Sequence, residues 1–106
     1  MEEAGGRDLG ANEVRGEVVA LLAGTERRLC LTLGALAEIE TVLGVGGEEL
    51  AARLRAMTAA DLMRVLSALL RGGGEMEAAA MLRQAPVDLE TAADAVARAF
   101  EAGCAG

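Results

Sequence analysis

Histidine, tryptophan, tyrosine and lysine are absent from this 106-residue chain, and phenylalanine, serine and proline occur once each. Without histidine there is no imidazole acid–base chemistry, no His-containing triad and none of the common zinc-ligand sets. The single serine, Ser67, lies inside a helical pattern with no base at a suitable spacing, so a serine nucleophile is not expected. With Phe100 as the only aromatic residue, a core has to be assembled from Leu, Val, Ile, Met and Ala. Alanine faces pack closely but bury little area, and burial contributes only about 25 cal/mol per Å². A chain of this size buries roughly 60–68% of its unfolded surface, enough for one modest core. Marginal stability as a monomer, or support from a partner, is therefore expected.

Positive charge is also scarce. All ten basic residues are arginines, against 17 acidic residues, for a net charge of −7. The bias towards Arg, Ala and Gly suggests a GC-rich bacterial genome. Nucleic-acid binding is not expected, because neutralising phosphates needs clustered positive charge. Here the arginines are scattered singly or in the pairs Arg27-Arg28 and Arg53/Arg55, with acids nearby. The longest apolar runs, 18–23 and 33–37, fall far short of the about 20 residues that cross a bilayer. Residues 1–15 include Glu2, Glu3, Asp8 and Glu13 and no apolar stretch of signal-peptide type. The expectation is a soluble cytoplasmic protein with no membrane partner. Two cysteines are too few for a disulfide framework, and without an export signal a bond between Cys30 and Cys104 is not expected. Cys30 reads as a buried strand residue.

What is present gives a mainly α fold with a small β element. Residues 1–15 are polar and Gly-rich and read as a disordered tail. The runs 17–22 and 27–31, separated by Ala23-Gly24-Thr25-Glu26, predict a β-hairpin with Val18, Ala20 and Leu22 on one face. Leu29, Leu31 and Leu33 alternate with polar or small residues as in a strand, and from Leu36 the spacing becomes helical at Leu36, Ile39 and Leu43. Thr32 is the expected N-cap of that first helix and Gly44 its terminator. A short helix over 48–55 follows, with Leu50 and Leu54 inward. Thr58 to Asp61 has the form of a capping box and opens the clearest helix, with Leu62, Val65, Leu66 and Leu69 on one face. Residues 75–84 are Ala-rich and read as a weakly amphipathic fourth helix. Asp88 caps a last helix whose predicted face is Leu89, Ala92, Ala93, Val96 and Phe100, with Gly103 as its stop and Asp94–Arg98 as an outward ion pair. The expected organisation is thus a hairpin followed by a bundle of four to five short helices, one domain over 16–103 with a C-terminal tail at 104–106.

No constellation of catalytic, cofactor-binding or metal-ligating residues emerges. Glu38 and Glu40 are two apart on a helix and point in different directions, which does not suit a carboxylate pair. Gly44-Val-Gly46-Gly47 and Gly72-Gly73-Gly74 lack the Lys-Ser/Thr or the third glycine of phosphate-binding loops and read as helix-terminating linkers. An enzyme is not expected. Protein-contacting surface is what remains. Met63 and Leu70 stand about 90° from the main stripe of their helix, where they either extend the core or form an exposed apolar seam. Met57, Met63, Met76 and Met81 are many flexible thioethers for so small a chain; each taken singly fits the role of a core gap-filler, but as a group such side chains also suit repacking around varied apolar partners. The candidate protein-binding residues are therefore Met57, Met63, Leu70, Met76 and Met81.

The segment Leu29-Cys-Leu-Thr-Leu-Gly-Ala-Leu-Ala-Glu-Ile-Glu-Thr-Val-Leu-Gly44, following a short hairpin, resembles the gene transfer agent family of small tail proteins. That family is related to the tail assembly chaperones of long-tailed phages. The resemblance is closest over 16–43 and continues more weakly through 62–74 to the Ala-rich end with Phe100. Relatives tend to carry Asp-Gly at the hairpin turn and an aromatic soon after, where this chain has Ala23-Gly24 and Arg27-Arg28. The resemblance implies a non-enzymatic assembly chaperone or accessory protein that binds the tape measure protein, the major tail protein, or both. It carries over no individual binding residues. A structural component retained in the particle and a small regulatory interaction domain are the alternatives, and homo-oligomer formation is left open.

Overall fold

The computed structural model describes residues 16–105; the predicted disordered tail at 1–15 lies outside the described residues. The chain forms an antiparallel hairpin, β1 (Glu17–Leu22) and β2 (Thr25–Cys30), followed by α1 (Leu33–Leu43), α2 (Glu48–Arg55), α3 (Ala59–Gly72), α4 (Met76–Ala80), a 3₁₀ turn (Leu82–Gln84) and α5 (Leu89–Ala105). The hairpin and helical bundle expected from the sequence are present.

The hairpin turn is tighter than the sequence suggested. Thr25 and Glu26 belong to β2 and pair with Leu22 and Leu21, leaving a two-residue turn. Ala23 and Gly24 both have positive φ, 54° and 83°, as a two-residue primed turn requires. Alanine is a strained occupant of that conformation. Ala20, Leu22 and Leu29 are buried on the inner face and Val18 packs against them, whereas Leu21 is exposed on the outer face. The ladder ends at Cys30, so the predicted strand alternation does not reach Leu33, which begins α1 and is 84% exposed.

α3 is the centre of the molecule and packs against α1, α4, α5 and β2. Leu62, Val65, Leu66 and Leu69 are all buried, as the periodicity predicted, together with Ala68 and Leu70. Its N-terminus carries the reciprocal capping box: the Asp61 amide donates to Thr58 Oγ1 at 3.1 Å and the Thr58 amide donates to Asp61 Oδ2 at 3.4 Å. Thr32 caps α1 by accepting from the Ala35 amide at 3.0 Å, and Gly44 ends it in the left-handed region. Asp88 caps α5, accepting from the Thr91 amide at 3.1 Å. These bonds hold the Asp88 carboxyl below the usual carboxylate range, the Thr91 hydroxyl contributing most.

Two helical segments depart from the expected pattern, the second of them in two respects. The expected fourth helix over 75–84 is broken into α4 and the 3₁₀ turn, which lets Ala79 and Leu82 both reach the core. α5 is rotated from its predicted face: Ala92, Ala95, Val96 and Ala99 are buried, Phe100 is half-buried, and Leu89 and Ala93 face outward. Close approach to α3 and the hairpin favours the small side chains over Leu89. Finally, Gly103 does not stop α5, which runs on to Ala105. A Cβ there would lie 2.9 Å from the Leu31 side chain, so this glycine makes room for Leu31.

The glycines after α3 are likewise more than a linker. A Cβ on Gly72 would sit 2.1 Å from the Cys30 carbonyl oxygen, and one on Gly73 would sit 2.2 Å from that of Arg28. The end of α3 therefore lies directly on the backbone of β2. Glu75 completes the contact, accepting from the Arg28 amide at 3.0 Å and from Arg27 Nη1 at 3.2 Å. On the opposite edge, Arg98 of α5 donates to the Val19 carbonyl at 3.0 Å while Nε holds Asp94 at 3.0 Å. Both edges of the two-stranded sheet thus meet helices, which removes much of the unpaired backbone that would otherwise invite strand addition.

Candidate functional site

Of the two buried charged residues among the described residues, Glu17 and Asp61, Asp61 is the deeper. Asp61, buried at the start of α3, accepts from Arg53 of α2 in a fork, Nε to Oδ2 at 2.8 Å and Nη2 to Oδ1 at 3.0 Å. Arg53 Nη1 also donates to the Leu43 carbonyl at 3.2 Å, so one guanidinium ties the end of α1 and α2 to the start of α3. The Arg53 bond, helped by Thr58, holds the Asp61 carboxyl below its ordinary range, and Arg53 itself is raised in return. Every donor and acceptor in this cluster serves the fold: it fixes the small helix α2, whose only buried residue is Leu50. The sequence reading placed Asp61 in the capping box but did not join it to Arg53. Among the described residues, no group of three or more His, Cys, Asp or Glu side chains is placed to hold a metal ion. Nor is any helix there long and apolar enough to cross a membrane.

The open surface of α3 offers a different kind of site. Met63 is half-buried and forms a ridge between two grooves. One, about 410 Å³, lies between the first half of α3, the 3₁₀ turn and the start of α5. Its walls are mostly apolar, with Leu62, Leu66, Val87 and Leu89 among them and only Arg83 and Asp88 charged. The other, about 470 Å³, lies between α1, α3 and α4. Val42, Met63 and Leu82 supply its apolar lining, and Arg64, Arg71, Arg83 and Glu38 its charge. Ala60, Met63, Leu82 and Arg83 border both, so the two grooves adjoin across Met63. Leu89, 64% exposed, and Val42, 40% exposed, stand on their outer walls.

The five methionine and leucine positions singled out from the sequence do not form one surface. Met63 lies at the centre of the paired grooves. Leu70 is fully buried, which removes it from any binding surface: it faces the interior with Leu66 and Leu69 because α4 and the hairpin close over that side of α3. Met57 is half-buried against the core in the α2–α3 connection. Met76 and Met81 are exposed at either end of α4, and Met81 borders a separate small depression of about 80 Å³ beside Leu22 and Ala23. The sequence reading missed Val42, Leu82, Arg83 and Leu89. The helical spacing of α5 predicts Leu89 on its inner face, and the weak pattern of 75–84 conceals the turn that presents Leu82 and Arg83.

Comparison with known proteins adds a family to this geometry. The family described as "Phage tail tube protein, GTA-gp10" matches residues 15–106, and the chain belongs to that family. It is a small phage tail protein of the gene transfer agent type. No curated protein and no solved structure matches the chain.

Proposed function

We propose that this member of the tail family acts without catalysis, as an assembly chaperone or accessory protein that holds the tape measure protein, the major tail protein, or both while the tail is built. The observation that carries the reading is the pair of adjoining grooves around Met63. Apolar side chains left exposed beside one mostly apolar groove and one of mixed polarity are suited to covering amphipathic segments of another chain. The methionine ridge can repack around more than one sequence, and the net charge of −7 would keep a complex with an aggregation-prone client in solution. We place this work in the cytoplasm of a bacterial cell carrying the tail genes.

Co-expression with the tape measure and major tail proteins, followed by pull-down, tests the reading. Met63→Glu is expected to weaken recovery of the bound tail protein more than it lowers thermal stability. Unchanged recovery would show that the grooves are not the binding surface. A second reading, a structural component retained in the particle, is favoured by the words "tail tube protein" in the family description. Mass spectrometry of purified particles separates the two: a stoichiometric amount there would rule out a transient chaperone.

A further inference from the structure

The charges of the second groove run against those of the molecule. In a chain of net charge −7, Arg64, Arg71 and Arg83 line it against one acid, Glu38, and that acid is already engaged by Arg71. The nearest carboxylate oxygen to Arg64 is Asp61 Oδ1 at 3.9 Å, an atom that Arg53 holds at 3.0 Å. Arg83 makes no ion pair among the described residues, and both guanidinium groups are exposed. Of the other described arginines, Arg71 in the same groove and Arg27, Arg53 and Arg98 outside it each have a carboxylate partner, whereas Arg28 and Arg55 do not. Two under-compensated arginines thus flank the Met63 ridge, one on α3 and one on the 3₁₀ turn. Such a pair beside an apolar groove is complementary to carboxylates on a ligand that also has an apolar side. The apolar walls disfavour a nucleic acid backbone as that ligand, because it has no apolar side to lay against them. Strand addition is poorly served, because the sheet edges meet α3 and α5. A helix laid in a groove between helices is a common mode that fits apolar walls flanked by charges.

We propose that the Met63 grooves take an acidic amphipathic helix of another protein, with apolar residues on both sides of Met63 and carboxylates facing Arg64 and Arg83. The proposal rests on the reading of these grooves as the docking surface and specifies what that surface selects. The test uses two fluorescent helical peptides of about 18 residues, five turns, with one leucine face flanked by either Glu or Lys. Each is titrated against the full chain by anisotropy. The Glu peptide is expected to bind about fivefold to tenfold more tightly at low salt, as two exposed ion pairs allow. The preference should vanish near 1 M salt, where screening is nearly complete at about 3 Å. The double variant Arg64→Glu/Arg83→Glu, both at exposed positions, should reverse it.

Equal binding of the two peptides, or a preference that the double variant leaves intact, would overturn the proposal. If both peptides bind equally and both are lost in Met63→Glu, the docking surface stands and its acidic selectivity falls. Absence of binding of the Glu peptide up to about 1 mM, an affinity weaker than about 4 kcal/mol, also overturns the acidic-helix proposal. Recovery of tail proteins by the Met63→Glu variant then decides the docking reading separately. A self-association abolished by the double variant would make a second copy the occupant, and single-stranded DNA binding abolished by it would make the site one for phosphates. Either result refutes the proposal.

Discussion

Alanine substitution at two helical glycines should have opposite effects, although helix propensity predicts the same gain at both. Gly34 lies in the first turn of α1, where an added Cβ would meet only Thr32 Oγ1 at 3.8 Å, an ordinary contact. Gly34→Ala should therefore realise the usual advantage of alanine over glycine, about 0.5–1 kcal/mol. Gly72 is the last residue of α3, and there a Cβ would fall 2.1 Å from the Cys30 carbonyl oxygen and 3.3 Å from the Ala35 Cβ. To restore a normal separation, α3 and β2 must part by about 1 Å, a gap that forfeits roughly a quarter to a half of each contact's attraction. Neither side yields easily: β2 is paired along its length with β1, and its Arg28 amide is held by Glu75. The parting would also loosen the core that α3 and β2 share, in which Leu29, Leu69 and Leu70 are all fully buried. Overpacking of this kind costs about 1–3 kcal/mol, and its encounter with backbone puts Gly72→Ala towards the upper end. After subtracting the propensity gain, the net loss is about 2 kcal/mol, or roughly 8–16 °C in Tm for a domain of this size. Thermal unfolding followed by circular dichroism reads both variants, and amide exchange at Arg28 reports locally on the junction. A Tm for Gly72→Ala equal to or above that of the parent would refute the close contact between α3 and β2.

Ala23→Asn should stabilise the hairpin by about 1 kcal/mol, because asparagine tolerates the left-handed conformation that alanine adopts there under strain; a fall in the urea midpoint would count against the primed turn. Leu70→Ala should lose about 2–5 kcal/mol as a core truncation, whereas Met63→Ala at the half-buried ridge should lose under about 1.5 kcal/mol, a contrast measurable by urea denaturation. Asp61 and Asp88 both have depressed pKa values in the folded chain, so the stability they contribute is present above the ordinary Asp value of about 3.9 and is lost as pH falls below it towards their folded values. Asp61→Asn should be less stable than the parent at pH 7, with the difference narrowing below about pH 4; urea midpoints over that range check the sign, and a constant difference would show that the Arg53 bond does not depend on the charge of Asp61.

The parts of the fold that were legible in the sequence are those whose causes lie within a turn of chain. The caps at Thr32, Thr58 and Asp88, the left-handed Gly44 and the buried stripe of α3 each need only residues three or four positions apart. What escaped depends on contacts between distant segments. The phase of α5 is set by Ala95, Ala99 and Gly103 fitting against the hairpin and Leu31, while Leu89 and Phe100, the bulkiest residues, dominate any periodicity argument. Gly72 and Gly73 look like punctuation until the carbonyls of β2 are placed beside them. Arg53 and Asp61 are eight residues apart on different helices, a separation with no periodic signature. The candidate site was legible only in Met63. Its companions Leu82 and Arg83 reach the surface through a break in the 75–84 helix that weak amphipathicity hinted at without locating.

The closure of the hairpin by α3 and α5 also orders events in time. β1 and β2 are made first, yet the groups that cover their edges, Glu75 and Arg98, lie in segments synthesised long afterwards. An isolated two-stranded hairpin is at best marginally stable in water. The nascent chain should therefore hold the hairpin only transiently until α5 has emerged, and then close it in a step dominated by non-local contacts, which are slow to form. Refolding should show little hairpin protection before the final cooperative phase, and a chain cut before Arg98 should stay open to sheet-edge aggregation. For a protein proposed to shield the exposed segments of others, the most vulnerable interval would be its own, between translation of β2 and arrival of α5.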